Sequence, residues 1–500
     1  MVYTSYLIRS IRGGASLIAC LSIAACTMGP DFQKPAAPKV QSYTAAPLTT
    51  TSSAGDSNEN AAQRFVDGRD IPGNWWTLFH SKPLQELIER SLKNNPDIKA
   101  GQAALRVARE NVQAQIGAYY PSVAGGFAAS HQKTSAALAP TPNSNNLTFD
   151  LFVPEVSVSY VPDVFGLNHR TVESLTAQAE QTRFALVATQ IALTANVAAA
   201  AVQEASLRAQ VDATRRLITL NTDMLNILRG QYEKGYTGRL DVAAQETQLA
   251  QVTATLPPLL NQLSQQRDLL SALSGAFPDA ALPEIFELSS LELPKELPVS
   301  LPSKLVEQRP DILQAEENLH SASAQIGVAI ANRWPTFNLS ADVGSNALVL
   351  GQIFTSGSSV WAIGAGVTQP IFDGGILLHR ELAAKAAFDE ASEQYRSTVL
   401  TAFQNVADTL TVLQHDADTL KAASAAADAA AVTLNIAQHQ AAKGYINGLA
   451  LLNAEQTYQQ TRIALVQAQA SRFSDTVALF QSLGGGWWNA PNPEVQAKND

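Results

Sequence analysis

From Ile376 to Lys443 the chain runs without a single Gly or Pro, and Ala, Leu, Gln, Glu and Asp dominate the stretch. Within it Tyr395, Val399, Phe403, Val406, Leu410 and Leu413 follow a 4-4-3-4-3 spacing. That is the seam of a helix lying along other helices. At about 1.5 Å per residue such a helix is roughly 100 Å long, beyond what one globular core can hide. Leu167 to Arg229 is a second run of the same kind, with Leu217, Leu220, Met224 and Ile227 on a 3-4-3 seam. The pattern predicts a mainly α chain whose two very long helices lie in a long bundle. The doublet Pro257-Pro258 falls in a later helical stretch. Interior Pro removes a hydrogen bond and clashes with the preceding turn, so a break is expected there.

Four other stretches alternate with period two. Val156, Val158 and Tyr160 alternate with Ser157 and Ser159. Phe337, Leu339, Ala341 and Val343 alternate with Asn338, Ser340 and Asp342, and Trp361, Ile363, Ala365 and Val367 alternate with small residues. Val123 to Ser130 is the weakest of the four. Each is about the roughly 9–11 residues that a tilted membrane strand needs. One apolar and one polar or small face suits a barrel wall between lipid and water; a soluble four-stranded sheet packed on helices fits the same pattern. In lipid a sheet must close on itself, and four strands fall short of the about eight that the smallest barrels use, so several chains would have to share one barrel. The turns His131 to Asn146 and Ser345 to Ser359 would then be outer loops, with the long helices pointing into the periplasm.

The chain is a duplication. Asn95-Pro96-Asp97-Ile98 returns 214 positions later as Arg309-Pro310-Asp311-Ile312, and Tyr120-Pro121 as Trp334-Pro335. His169-Arg170 returns as His379-Arg380, and Lys234-Gly235-Tyr236 as Lys443-Gly444-Tyr445. Each half reads as helix, two strands, long helix, tight Gly turn, helix. Asn95 can cap and Pro96 suits a first helical turn. The resulting division is a signal peptide (1–25), a lipidated linker (26–74), a first repeat (75–276), a Pro-rich connector (277–302), a second repeat (303–486) and a polar tail (487–500).

Charge and cysteine narrow the function. The formal net charge of −10 leaves no basic surface for nucleic acid. The only two Cys are Cys20 and Cys26, so the body has neither a disulfide framework nor a Cys metal site. No uninterrupted apolar run of 18 residues lies beyond the leader, which argues against membrane-spanning helices. Arg9 and Arg12 followed by the apolar Ala15 to Ala25 read as a secretory signal. It ends Ile23-Ala24-Ala25-Cys26, which resembles a lipobox, so Cys26 is expected to carry diacylglycerol and a fatty acyl chain. Thr27 after it fits outer-membrane sorting. Thr27 to Gly73, rich in Pro, Thr, Ser and Ala, reads as an extended linker with little regular structure.

These residues carry a family likeness that runs nearly end to end. Cys26-Thr27-Met28-Gly29-Pro30-Asp31-Phe32, Trp75-Trp76-Thr77-Leu78-Phe79, Leu301-Pro302-Ser303 through Gln308-Arg309-Pro310-Asp311-Ile312, and Leu483-Gly484-Gly485-Gly486-Trp487 resemble, in order, the boxes of the TolC-like outer-membrane channels of tripartite efflux pumps, in their lipoprotein (NodT-type) branch. The resemblance implies a duplicated long-helix α-barrel forming a periplasmic tunnel. It also implies a homotrimer whose four strands per chain make a 12-stranded barrel, coupled through a periplasmic adaptor to an inner-membrane pump.

The resemblance also places function at the helix ends. The turns Lys234-Gly235-Tyr236 and Lys443-Gly444-Tyr445 would be the periplasmic tips that contact the adaptor hairpins; Gly there also suits a left-handed C-cap. Relatives place carboxylates just past the second turn to constrict the tunnel. Here Ala450 and Asn453 hold those positions, a departure that puts a cation-binding gate in doubt. Asp241, the equivalent after the first turn, is a carboxylate and a constriction candidate, though a helix-start role is the favoured one. No nucleophile–base pair, phosphate loop or metal spacing appears, so no catalysis and no metal or other cofactor is expected. Three Met and no Met or His cluster weigh against copper or silver as cargo. The reading is a passive export duct; a periplasmic adaptor or coiled-coil scaffold lipoprotein is the alternative.

Overall fold

Two helices of 67 residues, Leu167–Glu233 and Ile376–Ala442, dominate the chain. Each occupies a stretch free of helix breakers almost to its end. The computed structural model describes residues 27–46, 48–55, 60–135, 148–280, 282–443, 445–446 and 448–490. In chain order these form β1 (Arg64–Asp67), α1 (Lys82–Asn94), α2 (Pro96–Ile116), β2 (Ser122–Lys133), β3 (Thr148–Tyr160), α3 (Leu167–Glu233) and α4 (Arg239–Leu273). Then follow β4 (Glu296–Val299), α5 (Pro302–Gln308), α6 (Pro310–Ala331), β5 (Thr336–Ser345), β6 (Ser359–Thr368), α7 (Ile376–Ala442) and α8 (Gly448–Ser482). Short 3-10 turns lie at Trp75–Phe79, Gly117–Tyr119, Leu288–Ser290, Leu350–Gln352 and Trp487–Asn489. The duplication is visible as paired lengths: α3 and α7 have 67 residues each, and α4 and α8 have 35 each. Cys26, Gly444 and most of the first outer loop lie outside the described residues.

The chain divides into two units, through both of which α2, α3, α6 and α7 run. One unit holds residues 1–35, 105–181 and 315–395, and with them all four long strands. These make one antiparallel sheet in the order β2-β3-β5-β6. Phe165 stacks on Trp334 with ring centroids 5.2 Å apart, beside Phe337, so aromatics gather at the helix-side ends of β3 and β5.

The other unit holds residues 36–104, 182–314 and 396–500. Its core is aromatic at one end: Trp75 stacks on Phe480 at 5.2 Å, and Phe79 meets Phe473 and Phe480. This is what the first aromatic box is for. Arg309 makes a two-pronged pair with Asp311, at 3.0 and 2.6 Å, and donates to the Ser482 carbonyl at 2.7 Å. The Arg309-Pro310-Asp311 box therefore ties the start of α6 to the end of α8. An 18-residue window of α3 reaches a mean hydropathy of 1.7, higher than the sequence reading expected of any helix. Val197, Ala198, Ala201 and Val202 of this helix are buried in the core of the second unit.

Among the described residues, the linker from Thr27 to Gly73 has little regular structure: its strand is the four-residue β1, which pairs in parallel with β4 in the Pro-rich connector. Gln63 is fully buried and donates to the Pro294 carbonyl at 3.0 Å. One expectation needs correction: Pro257-Pro258 does not break the helix, since α4 runs through both prolines. Thr253 and Ala254, whose carbonyls lose their amide partners, are exposed, as are both prolines. Water can satisfy the freed carbonyls there, which lowers the cost of continuing.

A half-buried acid near Arg472 gives a test in pH. Arg472 is 1% exposed and donates to the Leu413 carbonyl at 2.5 Å and to Thr51 Oγ1 at 3.2 Å. Burial, together with neighbouring Asp416, pushes the Asp475 carboxyl up from 3.8 to about 7, against the pull of Arg472. The native state thus holds this proton more tightly than the unfolded chain. Stability from this group is full below about pH 4 and is lost as pH rises toward about 7, by at most about 1.4 kcal/mol per pH unit. Thermal unfolding measured from pH 4.5 to 7.5 should show this decline, and Asp475→Asn should flatten it; an unchanged slope in the variant would remove the assignment.

Candidate functional site

The first site is the sheet wall. Its register puts Val123, Val158, Ala341 and Ile363 in one cross-strand row, and Gly125, Val156, Val343 and Trp361 in the next row on the same face. Tyr160, Leu339 and Ala365 follow, then Phe337 with Val367. The intervening rows are Ala124, Ser157, Asp342 and Ala362, and Ser122, Ser159, Ser340 and Gly364. Side chains alternate across a strand, so all apolar rows share one face and the polar or small rows share the other. On the apolar face Val123, Phe127, Trp361, Ile363 and Val367 are each more than half exposed. A continuous apolar wall of this size on one sheet face marks a surface meant for lipid or for a partner. The two outer strands, β2 and β6, each pair on one side only. The four period-two stretches of the sequence are thus all strands, and the register between them is what the sequence did not contain.

The second site is the pair of helix turns. After α3 the Gly235 amide donates to the Tyr232 carbonyl and the Tyr236 amide to the Gln231 carbonyl, both at 2.9 Å. With Gly235 at φ +76° this is a Schellman cap, in which a left-handed Gly satisfies the last helical carbonyls. The Tyr445 amide repeats the second bond, reaching the Gln440 carbonyl at 2.9 Å. Tyr236 and Leu240 are 80% and 81% exposed, and their repeat counterparts Tyr445 and Leu449 are 76% and 51% exposed. Both turns therefore hold an apolar pair out in solvent. Lys234 and Lys443 are exposed beside them.

The two turns differ in how they are braced. Asp241 accepts from Thr237 Oγ1 at 2.6 Å and from the Gly238 amide at 3.3 Å, which caps α4. Arg229 pairs with Glu246 at 2.9 Å, with Arg239 behind it, and the Arg229 hydrogen bond is the main reason the Glu246 carboxyl is held below its usual range. In the second repeat the position of Asp241 is taken by Ala450, whose side chain cannot accept a hydrogen bond. Asn453 is exposed on α8, and its backbone carbonyl accepts from Thr457 Oγ1 at 2.8 Å. Two carboxylates that the sequence reading passed over come together nearby. Burial, and then Asp223 on α3, push the Glu455 carboxyl up. The signal for Glu455 was present in the repeat, since it is the counterpart of Glu246. Its neighbour Asp223 has Val432 as counterpart, so the duplication could not reveal the pair. Among the described residues no group of three or more His, Cys, Asp or Glu is placed to hold a metal ion.

Comparison with known proteins agrees with this geometry. The model of the family described as outer membrane efflux protein matches residues 87–276 and 301–485. The toluene efflux pump outer membrane protein TtgC of Pseudomonas putida is 28% identical over 475 residues, covering 94% of this chain and 95% of its own. The outer membrane protein OprJ of Pseudomonas aeruginosa is 27% identical over 481 residues, covering 95% and 96%. Among solved structures, the outer-membrane channel OprN superposes with a TM-score of 0.81 at 26% identity, over 92% of this chain and all of its own. These relatives are transport ducts of the outer membrane rather than enzymes, and the scaffold alternative is not favoured. With a membrane wall, two long helical runs and a duplicated turn in place, the chain belongs to the outer membrane efflux protein family, as a channel subunit of an efflux pump in the outer membrane.

Proposed function

We propose that three copies of this chain form a passive duct, with twelve strands in the membrane and the long helices as a periplasmic tunnel. One observation carries the reading: a sheet whose face is apolar from the Phe337–Val367 row to the Val343–Trp361 row, with two unpaired edge strands, β2 and β6. In lipid, open edges leave backbone groups without partners, at several kcal/mol each. Pairing β6 of one copy with β2 of the next removes them. Two copies would supply eight strands and three would supply twelve; three is the number that the family resemblance implies. Ser122 and Thr368 stand at the helix-side ends of these opposite edges. The body carries no native Cys, so Ser122→Cys with Thr368→Cys should oxidise to a ladder ending at three chains. A product that stays one chain under oxidation would remove the proposal.

The exposed turns are the docking points for a periplasmic adaptor, through Lys234, Gly235, Tyr236 and Tyr445, with Lys443 and Gly444 in the second turn. The adaptor in turn links the duct to an inner-membrane pump that supplies the energy. Cys26 carries the lipid that anchors each chain. Asn453, Ala450 and Asp241 lie at the constriction, so the closed end lacks a strong negative ring from Asn453 or Ala450. Asn453→Asp should therefore lower single-channel conductance and make it sensitive to millimolar divalent cations. Conductance that is unchanged and insensitive to calcium would move the constriction elsewhere.

A further inference from the structure

The repeated dipeptide His169-Arg170 and His379-Arg380 gives the starting point. Arg380 is exposed, whereas the Arg170 side chain is only 3% exposed. The difference is a single strap of chain that only the first repeat receives. Arg170 Nε donates to the Met28 carbonyl at 3.0 Å, and Nη2 donates to the Gly29 carbonyl at 3.3 Å and to Asp31 Oδ1 at 2.8 Å. Its third nitrogen pairs with Glu173 on the next turn of α3 at 2.7 Å. Every arm of a buried guanidinium is thus used, and three of the four bonds go to residues 28–31.

Glycines make room for this contact. Gly29 sits at φ +96°, and a Cβ there would lie 2.4 Å from the Gly327 Cα on α6. A Cβ on Gly327 would lie 2.7 Å from Arg170 Cγ. The matching position of the first repeat, where no strap runs, is Gln113. Farther along, Phe32 stacks on His320 with centroids 4.4 Å apart, and Lys34 reaches Glu316 at 3.1 Å. Residues 316, 320 and 327 share one face of α6, so the strap follows that face.

The upper end of the strap meets the aromatic end of the sheet. The Met28 amide donates to the Phe165 carbonyl at 3.2 Å, and Thr27 packs on Gly166. Phe165 is the residue stacked on Trp334 at the ends of β3 and β5. Aromatics at the ends of membrane strands sit at the headgroup level. Cys26 lies outside the described residues; in the sequence it stands two residues before Met28. We propose that Arg170 is the positioning residue of the membrane anchor: it latches residues 28–31 so that the acyl chains on Cys26 enter the bilayer beside Phe165 and Trp334. The membrane lipid is the partner. This rests on the lipoprotein reading given above.

The test uses a nitroxide on Met28→Cys, a position whose backbone makes the contacts and whose side chain is only half-buried. In the full-length protein in vesicles, with Cys26 acylated, the label should be immobilised and relaxed by oxygen dissolved in lipid. Gly29→Val acts from the strap side, with no residue of the helices substituted. In it, and in Arg170→Ala, the label should become mobile and be relaxed by a water-soluble nickel chelate. Arg170→Lys, with one point donor in place of a fork, should recover only part of the immobilisation. Full immobilisation in Gly29→Val and Arg170→Ala would overturn the latch. Palmitate incorporation is read separately: its absence from the wild type and from Cys26→Ala alike would overturn the anchor, whatever the label does.

Discussion

Ile363→Arg removes the protein from the outer membrane, and Ala362→Arg, one residue away, leaves it there. The expectation follows from register. Ile363 shares its row with Val123, Val158 and Ala341, while Ala362 shares its row with Ser157 and Asp342. Both lie within β6, which spans Ser359–Thr368, so depth is matched and only the face differs. An Arg on the lipid face near the midplane costs about 2–4 kcal/mol, and the proposed trimer would incur that cost three times. On the other face the same Arg enters water and stands opposite Asp342. Outer-membrane fractions probed by immunoblot read the result. Loss of Ala362→Arg with retention of Ile363→Arg would mean that the wall has been assigned inside out.

Gly486→Ala should prevent folding of the chain's second unit even though it adds only a methyl group. Gly484, Gly485 and Gly486 all have positive φ, at +95°, +65° and +69°. A Cβ on Gly486 would lie 2.6 Å from the Pro72 carbonyl and 2.7 Å from that of Ile71. The left-handed conformation alone costs a non-Gly residue about 1–3 kcal/mol. Relieving the overlap must also disturb the bonds this turn exists to make: Trp487 Nε1 donates to the Gln308 carbonyl at 2.7 Å, and Asn489 Nδ2 to the Ile71 carbonyl at 2.8 Å. A loss of about 3 kcal/mol or more is expected, with little protein reaching the membrane. Gly230 is the control of opposite sign. It lies inside α3, and a Cβ there meets nothing within 4 Å. Gly230→Ala should therefore stabilise the helix by about 0.5–1 kcal/mol. Equal yields and melting temperatures for the two variants would remove this account of the terminal glycines.

The limits of the sequence reading follow from range. Helix α7 was legible because its pattern is local and no residue in it opposes a helix. The strands were legible because period two is also local. Pairing between β1 and β4 was not, since four-residue strands more than 200 positions apart leave no periodic trace, and Pro298 lies within one of them. The strap was unreadable for a similar reason: Arg170 looked the same as Arg380, and only the approach of residues 28–31 separates them. Pro257-Pro258 was misread because the cost of an interior Pro depends on whether water reaches the freed carbonyls, which composition does not tell. At the turns, Gly235 and its capping bonds were readable, while the closeness of Asp223 to Glu455 depends on packing between two helices.

The central claim is that copies of this chain close one barrel and conduct. The most direct test is the mass of the detergent-extracted protein, measured with its single-channel current in a planar bilayer. A species of three chains that shows discrete openings is the predicted result. A single-chain species that stays silent at every voltage would contradict it.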